Sequence, residues 1–169
     1  MKKTNLLLIG MPGCGKTTVG RRAAKRAGLK FLDMDMEIER REKKTIPELF
    51  EKGEDNFRAA ETRCAKSIAS LEHTIISAGG GLVTREKNIE ALRESSLIVF
   101  IDRSVDNLLG TRGISNYRPL LKDDRNRIIR LYDERIDLYR KYADVTVTNN
   151  GKRENCVKKV AAIAEKTCF

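Results

Sequence analysis

The sequence predicts a three-layer α/β protein, a five-stranded parallel sheet flanked by helices. Three observations lead there. Short apolar runs alternate with amphipathic stretches along all 169 residues, the pattern of βαβ units. The first run, Thr4 to Ile9, stops at a glycine-rich loop that opens a helical stretch. Gly10, Asp33, Gly79 and Asp102 then fall at the carboxyl ends of strands, where open parallel sheets bind their ligands.

The elements follow in order. Thr4 to Ile9 reads as a buried strand. Val19, Ala23, Ala24 and Ala27 repeat at helical spacing, and Gly28 supplies a C-terminal stop. Lys30 to Asp33 is a second strand, Met34 to Lys43 a charged helix, and Ile46 to Lys52 a short helix closed by Gly53. Glu54 to Ser70 carries Phe57, Ala60, Cys64 and Ile68 on one stripe. Thr74 to Ala78 is a third strand, and Thr84 is placed to cap a helix running to Arg93. Leu97 to Ile101 is the fourth strand, with Ser104 as the next cap. The segment 110–123 has glycines, a proline and no period, so a loop is expected. Asp124 to Tyr142 follows as a helix with Ile129, Tyr132, Ile136 and Tyr139 on one face. Val145 to Thr148 is the fifth strand, and Val157, Val160, Ala161 and Ala164 mark the last helix.

Composition bounds the function. The length suits one domain spanning residues 1–169, large enough to fold without disulfides. Lys and Arg outnumber Asp and Glu by 34 to 24, a net charge of +10 that favours anionic ligands. Aromatic residues are only 5% and Trp is absent, so the stacking platforms of a nucleic-acid binder are missing. No stretch approaches the ~18 apolar residues of a membrane span. The first residues hold no signal-peptide core, which leads to an expected cytoplasmic location. Cys14, Cys64, Cys156 and Cys168 match no zinc or C-x-x-C spacing, and His73 alone cannot build a histidine metal site.

The sharpest signal is Gly10-Met11-Pro12-Gly13-Cys14-Gly15-Lys16-Thr17, a full G-x-x-x-x-G-K-[ST] match. Glycines let backbone N–H groups turn inward onto phosphate oxygens, and the following helix adds its positive end. Lys16 supplies a flexible charge and Thr17 a hydroxyl for Mg²⁺. ATP contacts are therefore expected from Gly13 through Thr18. The loop leaves the acceptor open, since switch GTPases, ATPases and small-molecule kinases share it. The short chain favours a small kinase. Cys14, inside the loop, has two readings: a thiolate stabilised by the helix end and Lys16, or a small buried residue facing away from the phosphates.

Further pieces give a family resemblance. Leu32-Asp33-Met34-Asp35-Met36-Glu37-Ile38-Glu39 is similar to L-D-x-D-x-x-I-E. Gly53-Glu54-Asp55-Asn56-Phe57-Arg58-Ala59-Ala60-Glu61 is similar to G-E-x-x-F-R-x-x-E. Gly79-Gly80-Gly81 follows a strand, Arg118-Pro119-Leu120-Leu121 looks like a lid, and Glu134-Arg135-Ile136-Asp137-Leu138-Tyr139 is like E-R-x-x-L-Y. In this order and spacing the chain resembles the shikimate kinases, small P-loop proteins of the nucleoside-monophosphate-kinase-like group.

The resemblance implies a P-loop kinase fold with an acceptor-binding helical region at about 33–61 and a short mobile lid at about 112–123. It implies transfer of the ATP γ-phosphate to the 3-hydroxyl of shikimate by a monomer. Asp33 would hold Mg²⁺ through water, while Asp35 would contact the acceptor hydroxyl. Arg58 and Arg135 would grip the carboxylate, with Glu61 steadying Arg58. Gly79, Gly80 and Gly81 would offer N–H groups to the acceptor, and Arg118 would close on the transferred phosphoryl group. Arg112 and Lys152 would flank the adenine. One departure stands out: Asp137 replaces a usual proline and puts a negative charge two residues from Arg135. The alternative acceptors are another small hydroxy acid, gluconate or a nucleoside monophosphate. Against the last, no G-[FY]-P-R segment stands where the triple glycine does. Against a guanine-reading switch, N-K-x-D is absent.

Overall fold

The chain winds alternately through strand and helix, and all five strands join one parallel sheet in the order β2-β3-β1-β4-β5. The computed structural model describes residues 2–110 and 125–169. The strands are β1 (Asn5–Ile9), β2 (Lys30–Asp33), β3 (Thr74–Ser77), β4 (Ser96–Asp102) and β5 (Val145–Thr148). The helices are α1 (Lys16–Ala27), α2 (Met34–Glu42), α3 (Ile46–Glu51), α4 (Glu54–Ile68), α5 (Glu86–Arg93), α6 (Val105–Leu109), α7 (Arg125–Tyr142) and α8 (Arg153–Thr167). The expected lid, with Arg112 and Arg118, lies outside the described residues.

The centre of the sheet is apolar on both faces, as a strand covered on both sides must be. Leu6, Leu7 and Leu8 of β1 are fully buried, as are Ile75 and Ile76 of β3 and Ile98 and Val99 of β4. Helices α1 and α8 pack together on one face, and α5 and α7 contact β4. Gly20 lets α1 sit close to the sheet: a Cβ there would stand 2.9 Å from both Leu8 and Phe31 side-chain carbons. On α4 the stripe of Phe57, Ala60, Cys64 and Ile68 is buried as its spacing predicts.

Local chemistry sets most element ends. Gly28, in the left-handed region at φ 69°, closes α1. Thr45 and Glu48 form a reciprocal capping box that starts α3. Ser104 caps α6 through Asn107 N. Thr84 does not cap the helix to Arg93. It lies in a 3₁₀ turn, Leu82–Thr84, with its hydroxyl donating to Gly81 O at 2.7 Å, and Arg85 occupies the cap position without a side-chain bond. The hydroxyl is thus already bound to the turn that precedes the helix. The buried face of α7 is also shifted from its sequence pattern. Ile129 is exposed and Tyr132 half-buried, whereas Arg135, Ile136, Tyr139 and Tyr142 are buried. In the first turns of α7, Ile128, Leu131 and Tyr132 pack against the core only partly buried, and full burial begins at Arg135.

The thiols are all free and all buried. Cys14 has no exposed surface, and Lys16 Nζ stands 3.6 Å from its Sγ. The reading of Cys14 as a solvent-facing nucleophile is therefore corrected: its side chain points under the loop, into the core. Burial pushes the Cys64 thiol up to about 12 and the Cys156 and Cys168 thiols up to about 11. A disulfide reagent such as DTNB at pH 8 should release almost no colour from the native protein over minutes. In guanidinium chloride it should count four thiols. Rapid native labelling of Cys14, blocked by ATP, would restore the exposed-thiolate reading.

Candidate active site

The site forms along the carboxyl edge of the sheet. Parallel pairing sets Leu8 and Asp33 on either side of Ser77, so the ends of β1, β2 and β3 lie abreast. Beyond Ile9 the chain turns through Gly10, Gly13 and Gly15, all at positive φ, and enters α1 at Lys16. Lys16 is only 6% exposed, and its ammonium donates to Gly10 O at 2.7 Å and Met11 O at 2.9 Å. The side chain lies back over its own loop, with its charge held where phosphates would meet the backbone N–H groups. Gly13 in the loop and Thr18 in α1 are exposed.

Thr17 and Asp33 meet directly. Thr17 Oγ1 donates to Asp33 Oδ2 at 2.8 Å, and Ser77 Oγ stands 3.2 Å from Thr17 Oγ1. The other oxygen of Asp33 accepts from Asp35 N and Met36 N and so caps α2. Asp33 therefore caps α2 with one oxygen and faces the phosphate loop with the other. Asp35 is half-buried in the first turn of α2. Ser77 was missed by sequence reasoning; its placement at the end of β3, opposite Asp33, is the only signal that could have found it.

A second centre lies around the triple glycine, buried just after β3. Arg58 of α4 is 5% exposed, donates to Glu61 Oε1 at 2.9 Å, and reaches Glu54 Oε1 at 3.3 Å. A Cβ on Gly81 would stand within 2.1–2.4 Å of three Arg58 guanidinium atoms. Glycine is needed there because the guanidinium rests on the backbone itself. From the other side, Tyr139 of α7 donates its hydroxyl to Gly80 O at 2.6 Å and lies 3.9 Å from Met11 Sδ of the phosphate loop. The sequence places Tyr139 on a helical stripe and at the end of the E-R-x-x-L-Y piece, with no role for its hydroxyl. Its ring does stack on Phe100, but its hydroxyl holds the glycine turn.

Arg135 lies one helical turn before Tyr139 on the same face of α7 and is 7% exposed. Among the described residues no carboxylate pairs with it and no hydrogen bond satisfies its guanidinium. A buried guanidinium without a counter-ion is costly, and its planar fork matches a carboxylate. Asp137 does not supply that charge: its side chain is 90% exposed and stands 3.8 Å from Arg140. The departure from the family pattern thus points to solvent and leaves Arg135 untouched. Lys152 is exposed at the cap position of α8, next to the end of β5, apart from the acceptor-side arginines in the fold.

The structure thus brings together Lys16, Thr17 and Asp33 as one group, and Arg58, Glu61, Gly80, Gly81 and the Arg135–Tyr139 face as another. Chemically the first group suits polyphosphate, and the second holds two arginines, side chains whose fork geometry matches a carboxylate.

The shikimate kinase family profile matches residues 12–165. A shikimate kinase of Clostridium beijerinckii is 47% identical over 161 residues, covering 95% of both chains. One from Neisseria meningitidis serogroup C is 40% identical over 91% of this chain and 94% of its own. Among solved structures, a shikimate kinase from Acinetobacter baumannii in complex with shikimate superposes with a TM-score of 0.88 at 34% identity, covering 99% of this chain and 96% of that one.

Proposed function

The chain belongs to the shikimate kinase family, and from that premise we propose how its residues divide the phosphorylation of shikimate by ATP. The observation that carries the reading is Arg135, a buried guanidinium with no carboxylate of its own among the described residues. The acceptor's carboxylate completes it. Arg58 approaches the same glycine turn already neutralised in part by Glu61 and Glu54, so it orients the acceptor more than it adds charge.

On the donor side, the loop from Gly13 to Thr18 cradles the phosphates, and Lys16 exchanges its carbonyl partners for phosphate oxygens. Thr17 and Asp33 fit a hard divalent cation: a hydroxyl and a carboxylate 2.8 Å apart are oxygen donors of the right kind. Among the described residues no cluster of three His, Cys, Asp or Glu could cage a metal. That suits Mg²⁺, which takes one or two protein oxygens and completes its shell with water and phosphate. When bound, it would neutralise phosphate charge as the terminal phosphoryl group transfers.

Asp35 orients the acceptor hydroxyl and takes its proton as the oxygen–phosphorus bond forms and the bond to ADP breaks. Gly79, Gly80 and Gly81 hold the acceptor with backbone N–H groups, the turn being fixed by Tyr139. Arg118 closing on the phosphoryl group, and Arg112 with Lys152 beside the adenine, complete the scheme. Four buried, unpaired thiols support a reducing, cytoplasmic setting. No helix among the described residues is long and apolar enough to cross a membrane. We take the working unit as a monomer without nucleic-acid or membrane partners, its residues 1–169 forming one kinase domain.

A coupled ADP-release assay against shikimate, quinate, gluconate and nucleoside monophosphates tests the acceptor; turnover is expected with shikimate alone. Arg135→Ala should weaken acceptor binding by about 2–5 kcal/mol, with ATP affinity near that of the parent. Arg58→Ala should do the same but also lower thermal stability, because it strips Glu61 of its ion pair. Wild-type acceptor affinity in both variants would remove the carboxylate clamp from the scheme. Asp35→Asn should fold and bind ATP yet lose phosphoryl transfer, and Asp33→Asn should instead raise the Mg²⁺ concentration needed for half-maximal rate. Titrating Mg²⁺ for each variant separates the two, and a reversed pair of phenotypes would overturn the assignment.

A further inference from the structure

Asn149 follows the last residue of β5, at the edge of the sheet farthest from β2. It is 3% exposed. Its backbone is anchored from both sides: its N–H donates to Asp102 O at 2.8 Å, and Arg103 Nη1 donates to its carbonyl at 2.8 Å. So held, its side chain crosses to the phosphate loop, where Nδ2 donates to Cys14 O at 2.9 Å. A Cβ on Gly15 would stand 2.7 Å from the same Nδ2. Glycine at 15 thus serves twice, adopting φ 102° and leaving room for this amide. Asn149 Oδ1 is buried and has no hydrogen-bond partner among the described residues. Keeping an unsatisfied buried acceptor is unfavourable, and the side chain's one hydrogen bond among the described residues is the one that Nδ2 makes to the loop.

The bond fixes one peptide plane. Across a trans peptide the carbonyl and the following N–H point in opposite directions, and the Cys14–Gly15 bond is trans. Drawing Cys14 O toward Asn149 turns Gly15 N–H away from Asn149. We propose that Asn149 is a positioning residue for nucleotide binding, which sets the Gly15 N–H for the ATP phosphates by holding the Cys14 carbonyl from behind. It acts through the loop backbone and need not touch the nucleotide. The inference rests on reading the loop as the ATP site and is independent of the acceptor.

The test is calorimetric binding of ADP, ATP and AMP to the full chain without any acceptor. A loop that binds other nucleotides but fails to turn over shikimate would count against the function and leave this inference standing. Asn149→Leu keeps the volume and removes the donor; Asn149→Ala removes the whole amide. Both should raise the ADP and ATP dissociation constants about tenfold, the value of one well-placed hydrogen bond. AMP, which lacks the β-phosphate, should change less than twofold, and shikimate KM should stay at the parent value. ADP affinity within twofold of the parent in both variants would overturn the inference. So would an equal loss for AMP, which would assign Asn149 to the nucleoside, or a failure of both variants to fold, which would make its role purely structural.

Discussion

The register of the parallel sheet is the constraint on which the site depends. Ser77 pairs across to Leu8 on one side and Asp33 on the other. A shift by one residue would turn Asp33 to the opposite face and carry Leu6, Leu7 and Leu8 out of their packing. Because Leu6, Leu7, Leu8, Ile75 and Ile76 are fully buried in close-packed surroundings, that shift is strongly disfavoured. The hydrophobic core thereby fixes a polar distance it does not contain, the 2.8 Å between Thr17 and Asp33. Phosphate loop, capping aspartate and glycine turn are all consequences of where buried strands end.

Charge is distributed unequally between the two halves of the site. Arg58 has carboxylates from its own helix, one of them fully buried. Arg135 has none among the described residues, though it is nearly as buried. The first is a rigid post whose position is fixed by helix spacing, since Glu54 and Glu61 lie four residues before and three after it. The second keeps its charge available. The two guanidinium groups therefore differ in local charge: only the first is compensated by carboxylates among the described residues.

Much of this was legible in the sequence. β2 and β5 fall where alternation and length put them, and most other boundaries lie within two residues, because glycines, caps and apolar runs are local signals. The Arg58–Glu61 pair follows from helical spacing alone. The sequence does not disclose contacts between elements. Tyr139 on Gly80 O, Arg58 against the Gly81 backbone and Ser77 beside Thr17 join residues 59, 23 and 60 positions apart, and no local pattern encodes them. The direction of the Cys14 side chain was misjudged in one of its two readings for the same reason. Electrostatics favoured a thiolate, but the turn of the loop buries the sulfur, and turn geometry decides. Thr84 failed as a cap because a preceding 3₁₀ turn had already engaged its hydroxyl.

Lys16 holds a positive charge that folding has already seated in its own loop. Its ammonium has left bulk water and rests on the carbonyls of Gly10 and Met11. An incoming anion therefore competes with protein contacts, these two carbonyl dipoles among them, and not with a full hydration shell. The desolvation of the cation belongs to folding, and the gain on binding is the difference between phosphate and carbonyl as acceptors. That difference grows with the charge of the incoming oxygen, so a weakly charged or neutral group gains little by the exchange. Selectivity for highly charged anions is thus written into the resting hydrogen bonds of a single side chain.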